Sequence, residues 1–177
     1  MGDVRHYRSV DYVILTDDGR FPNNGMLPLL LYRGVLPAGR ADARRFQELF
    51  QGNGWGGSWL GRIYQVHHYH STAHEVLGVC EGWASLQLGG EGGILFRLQP
   101  GDAMVIPAGV AHKLVDSGGS LGVVGAYPAG QQWDMKYGQP GERPRADRAI
   151  ARVPLPGTDP VFGQEGPLMD LWTDKQG

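Results

Sequence analysis

His68, His70 and Glu75, with His112 further along the chain, are the side chains best suited to chemistry. Imidazole nitrogens and carboxylates are ordinary ligands of divalent transition metals. The segment from His67 to Glu75 holds four of the six histidines of the chain. Alternate residues of a β-strand face the same side. On a strand, His68 and His70 therefore point together, with Val66, Tyr64 and Arg62 below them, and His67 and Tyr69 point away. Ser71 to Ala73 read as a turn, and Glu75 opens a neighbouring strand beside His70. A tight turn at Pro107-Ala108-Gly109 then brings His112 inward. Three imidazoles and one carboxylate would leave one or two positions open on an ion, as a catalytic site requires. His74 is an alternative ligand beside Glu75. The two-residue period favours Glu75 and turns His74 outward or toward the turn. His67 and His6 are expected at the surface.

Two runs carry a family resemblance. His68-x-His70-x4-Glu75-x6-Gly82 is similar to the first motif of the cupin superfamily, and Gly101-x5-Pro107-x-Gly109-x2-His112 to the second. Over most of its length the chain also resembles the single-domain bacterial cupins of the YjlB type. That likeness rests on HYHSTAHEVLGVCEG, GDAMVIPAGVAHK and AYPAGQQWDM, and on the VPLP and DPVFG segments. The resemblance implies a mostly β fold, a double-stranded β-helix or jelly-roll barrel. It also implies His68, His70, Glu75 and His112 as ligands to one divalent transition metal ion: Fe, Mn, Ni, Zn or Cu. Two positions depart from the motifs. Arg62 stands where the first motif often has glycine, and Asp116 where the second often has asparagine; neither is a ligand position. Arg62 reads either as an inward positive charge suited to an anionic substrate or as a surface residue at a strand start.

The function expected of such a site is a metal-dependent enzyme of the dioxygenase or isomerase type, acting on a small oxygen-bearing molecule. A non-catalytic sensor or carrier of a small molecule or metal is the alternative, and a metal-free isomerase with His68 or His112 as base is a third reading. Tyr64, at the pocket floor, and Glu75 are the candidate proton-transfer groups. Leu77, Val79, Met104, Ile106 and Leu114 are expected to face inward and make the wall apolar.

The elements that position these residues can be read in order. Tyr12 to Thr16 and Leu27 to Tyr32 read as strands. Asp42 caps a helix carrying Ala43, Phe46, Leu49 and Phe50 on one face, with Gly52 as its stop. Asn53 to Gly57 reads as a loop. Short strands follow at Trp59–His70, Glu75–Val79, Ala84–Leu88, Ile94–Leu98, Ala103–Ile106, Ala111–Val115 and Leu121–Tyr127, broken by turn residues. After Tyr127 a proline-rich but aromatic-bearing tail reads as an extended arm over the barrel or a partner subunit, with a short helix near Ala146–Ala151. The whole, residues 1–177, is expected to form one domain: N-terminal strands and helix (1–57), barrel core (58–127) and C-terminal arm (128–177). Barrels of this kind commonly pair through sheet edges, so a homodimer is expected.

Composition narrows the partners. The net charge is -2, with no Lys/Arg-rich run, which speaks against nucleic acid or an anionic membrane and leaves a small molecule. Cys80 is the single cysteine, so no intrachain disulfide can form, and it is expected to be a small core residue. Neither a signal peptide nor a bilayer-spanning run is evident, so a cytoplasmic setting is expected.

Overall fold

A computed structural model describes residues 2–173. Its strands are β1 (Arg5–Tyr7), β2 (Val10–Leu15), β3 (Asn24–Tyr32), β4 (Trp55–Gly61), β5 (Glu75–Leu88), β6 (Ile94–Leu98), β7 (Ala103–Ile106) and β8 (His112–Pro128). Its α-helices are α1 (Ala43–Gly52), α2 (Arg145–Ile150) and α3 (Pro167–Leu171). The strands run β1-β2-β3-β7-β5-β8-β4, with β6 also paired to β5, and every pairing is antiparallel.

The two-residue period divides the apolar side chains into two layers. Leu29, Leu31, Leu77, Val79, Met104, Ile106, Leu114 and Val123 pack together inside the curved sheet. Leu30, Tyr32, Val76, Val105, Val124 and Ala126 face the other way. That outer face is covered by Phe46 and Phe50 of α1 and by Val161, Leu168 and Trp172 of the C-terminal arm. The five residues expected to face inward all lie in the inner layer. Gly78 is required beneath α1, because a Cβ there would lie 2.6 Å from the Phe46 ring. Asp42 caps α1 by accepting the Arg45 N–H (2.9 Å).

Several boundaries differ from the sequence expectation. Gly52 is the last helical residue; Asn53 is the C-cap and Gly54 takes the positive φ. The expected loop at Asn53 to Gly57 gives way to β4 at Trp55. The strand expected over Trp59–His70 ends at Gly61, after the last β4–β8 pair, Gly61↔Val123. Beyond it backbone groups find partners singly: the Leu114 N–H bonds the Tyr64 carbonyl, and His68 forms an isolated bridge to His112. The breaks expected near Gly82 and residues 116–120 are bulges within two long strands, β5 and β8, which pair along most of their lengths.

The arm lies on its own chain's barrel. The Trp172 indole N–H donates to the Pro28 carbonyl (2.8 Å). The fully buried Asp159 accepts from the Tyr32 hydroxyl (2.7 Å) and from the N–H groups of Val161, Phe162 and Leu168. Four acceptances satisfy this buried carboxylate and pin the arm. Cys80 is half-buried beside the outer layer rather than enclosed in the core.

Candidate metal centre

His68, His70 and His112 are buried, and one ring nitrogen of each lies within 4.8 Å of the others. Glu75 is buried with them: its Oε2 is 3.2 Å from His70 Nε2 and 3.4 Å from His112 Nε2. β5 supplies Glu75 on the inward parity of Leu77, and β8 supplies His112 on that of Leu114. His68 and His70 come from the irregular segment between β4 and β5. Three backbone bonds hold that segment to the second motif: His68 N–H to the His112 carbonyl (3.1 Å), His112 N–H to the His68 carbonyl (2.9 Å) and Gly109 N–H to the His70 carbonyl (2.8 Å).

Each of the three imidazoles is fixed through its Nδ1. His68 bonds the Val66 carbonyl (3.0 Å), His112 the Val110 carbonyl (3.0 Å), and His70 the Asp134 carbonyl. A carbonyl can only accept, so each Nδ1 carries a hydrogen, and Nε2 is the ring nitrogen left facing the cluster. This is the orientation in which imidazoles ligate a metal. The Tyr127 hydroxyl donates to Glu75 Oε1 (3.1 Å) and accepts from the Trp59 indole N–H (2.8 Å). Glu75 is thereby turned so that Oε2 faces the histidines. These four groups floor a cavity of about 210 Å³ that opens between Trp59, Arg62, Ile63, Tyr64, Trp133 and Met135.

Protein YjlB of Bacillus subtilis (strain 168), described as uncharacterized, is 41% identical over 165 residues, 93% of this chain and 98% of that protein. The chain belongs to the YjlB family. Its fold is mostly β, with few helices. No family model matches the chain. Among solved structures, acireductone dioxygenase from Bacillus anthracis, with a cadmium ion in its active center, aligns at TM-score 0.39 and 17% identity. That alignment spans 53% of this chain and 63% of the dioxygenase. A mutant oxalate decarboxylase of Bacillus subtilis aligns at TM-score 0.33 and 12% identity, over 76% of this chain and 29% of the decarboxylase. RmlC from Streptococcus suis, in complex with dTDP-D-xylose, aligns at TM-score 0.33 and 12% identity, over 97% and 94% of the two chains.

In this YjlB-family chain the electrostatics follow from burial and from the Glu75 charge. Burial works to raise Glu75, but His70 and His112 outweigh it and hold the carboxyl well below the usual range. Burial works to lower His70, and Glu75 more than offsets it. For His68, burial and then the neighbouring His112 push the imidazole down to about 3. Burial and the Glu75 charge push the Tyr127 phenol up, so it stays a hydrogen-bond donor at neutral pH. An ionised Glu75 beside three imidazole Nε2 atoms is a donor set that fits a divalent cation.

The remaining sequence candidates lie elsewhere. His74 points away from the cluster: its Nδ1 accepts the Ala108 N–H (2.9 Å) and its ring packs on Trp172 at 4.6 Å. Among the described residues its Nε2 makes no hydrogen bond, though the nearby Pro154 carbonyl favours the protonated form; burial dominates and pushes His74 down to about 3. His67 also faces away from the cluster, yet it is buried rather than at the surface, because the loop carrying Phe21 covers it at 5.4 Å. Tyr64 is at the cavity mouth, 57% exposed and edge-on to His68, rather than at the floor. It depended on a strand at 62–67, which the chain does not form. His6 is exposed and bonds Asp11.

Sequence reasoning missed Trp59, Tyr127, Trp133, Asp134 and Met135. The arm brings in the last three, and the Asp134 carboxylate also accepts the Ser71 N–H (2.6 Å) and hydroxyl. The AYPAGQQWDM run that carries the family likeness contained them, and a tryptophan within a polar run was the available signal.

Proposed function

We propose that this protein is a mononuclear metal enzyme, with His68, His70, His112 and Glu75 as the ligands and a small oxygen-bearing organic molecule as substrate. The observation that carries the reading is the triple Nδ1 tether, which turns three Nε2 atoms toward one another beside the Glu75 carboxylate. Several imidazoles turned into an apolar enclosure without a shared cation would be a costly arrangement. When bound, a divalent ion supplies a Lewis acid, or a redox centre if it is Fe, Mn, Ni or Cu.

The chain's own residues do the rest. Tyr127 holds Glu75 in place through Oε1. Glu75 stays ionised and can balance a cation's charge or take a proton from a bound substrate. Ile63, Leu77 and Trp133 wall the cavity and limit water at its floor. Tyr64 contributes surface at the entrance.

Elemental analysis of protein purified without chelators tests the reading. The expected result is about one transition-metal ion per chain, lost in His68→Ala and His112→Ala while circular dichroism stays unchanged. Protein that carries no such ion, and gains no thermal stability from added Zn, Fe, Mn, Ni or Cu, overturns it. Metal together with small-molecule stabilisation but no turnover would make the protein a carrier or sensor rather than an enzyme.

A further inference from the structure

The cavity's lining limits what can occupy it. Above the floor it is formed by Trp59, Ile63, Leu77, Trp133 and Met135, with the two tyrosines and Arg62. The Tyr127 hydroxyl is already engaged, donating to Glu75 and accepting from Trp59. Among the described residues, no carboxylate or side-chain amide lines the cavity above Glu75. Arg62 is its single Lys or Arg, and the guanidinium makes no hydrogen bond or ion pair among the described residues. Trp133 stacks on Tyr127 (centroids 6.2 Å, planes at 25°), meets His70 edge-on at 5.7 Å, and remains 49% exposed.

These facts separate ligand classes. A polyhydroxylated molecule would give up many bonds to water and find few partners on this wall. An ammonium would find no carboxylate above the floor and would meet Arg62. A flat apolar body fits against indole and aliphatic surface. A negative charge at the mouth meets the Arg62 guanidinium, which has no ion-pair partner among the described residues.

We infer that the site takes a small, flat, apolar carboxylate bearing oxygen donors at the end away from its carboxylate. The donors lie at the His68–His70–His112 floor, the body along Trp133, Ile63 and Leu77, and the carboxylate at Arg62. The assignment rests on the metal reading above, and Arg62 and Trp133 become the specificity-determining residues.

Catechol and 3,4-dihydroxybenzoate present the same oxygen pair, and only the second adds a carboxylate. Protein loaded with redox-inert zinc is titrated anaerobically with each at low salt, with tryptophan fluorescence as the readout and zinc content measured on every sample. The wild type should bind 3,4-dihydroxybenzoate roughly tenfold more tightly than catechol, the scale of one charge-assisted hydrogen bond at a partly exposed site. R62Q should bind the two alike, and W133A should weaken both. Equal affinities in zinc-loaded wild type, binding of neither, or a carboxylate preference that survives R62Q overturns the inference while leaving the metal reading standing. Wild type that takes up no zinc brings down the metal reading, and the inference with it.

Discussion

The Tyr127 hydroxyl donates a hydrogen bond to Glu75 Oε1 at 3.1 Å, and Glu75 Oε2 faces His70 and His112. One end of β8 thus orients the carboxylate that opens β5, while the other end delivers His112. Val76↔Ala126 pairing places Tyr127 next to Glu75, so the contact follows from the register of the two longest strands.

Removing that hydroxyl should loosen the metal without unfolding the barrel. For Tyr127→Phe, zinc affinity by chelator competition should fall about tenfold, the low end of what outer-shell partners contribute. The stability of the metal-free protein should change by about 1–2 kcal/mol, since a buried acceptor loses its donor. An unchanged zinc affinity would remove Tyr127 from the site.

Metal and stability should be linked. Free zinc at about 100 times its Kd should stabilise the folded chain by about 2.7 kcal/mol, visible as a raised Tm that a chelator reverses. His68→Ala should abolish this shift, whereas His74→Ala should retain it, because the His74 nitrogens lie outside the cluster. A zinc shift lost in His74→Ala and kept in His68→Ala would reassign the ligand.

Gly109 ties the second motif to the first. Its φ is +93°, its N–H bonds the His70 carbonyl, and a Cβ there would sit 2.4 Å from the Asn23 carbonyl oxygen. Gly109→Ala should cost about 1–3 kcal/mol in urea denaturation, from strained backbone and the displaced contact. Zinc binding should weaken as well, because His70 moves with the turn.

Far from the site, Arg143 couples the arm to the turn after β2 through Asp17. The Arg143 hydrogen bond holds the Asp17 carboxyl below its usual value. Its contribution is therefore present above the unfolded-state pKa of about 3.9 and is lost as pH falls through the lower folded value. The pair is partly exposed, at 46% and 31%, so solvent screening keeps that contribution under about 1 kcal/mol. Asp17→Asn should be slightly less stable than wild type at pH 7, and the gap should close below about pH 4 and shrink with added salt. A gap that widens in acid would contradict the assignment.

Much of this molecule is legible in one dimension because strand parity is a local rule. Leu77, Val79, Met104, Ile106 and Leu114 announce an inner face by alternation alone, and Asp42, Phe46 and Phe50 announce the capped helix. The motif spacings place His68, His70, Glu75 and His112 in one family pattern. Parity fails where the ladder fails. Residues 62–67 leave β4 after Gly61↔Val123, so Tyr64 moves from the expected floor to the mouth, and Phe21 covers His67. Tertiary structure alone decided which partners fix each imidazole Nδ1, that Tyr127 turns Glu75, and that Trp133, Asp134 and Met135 of the arm wall the cavity. Those relations join residues far apart in sequence through single hydrogen bonds and ring contacts, and no periodicity along the chain encodes them.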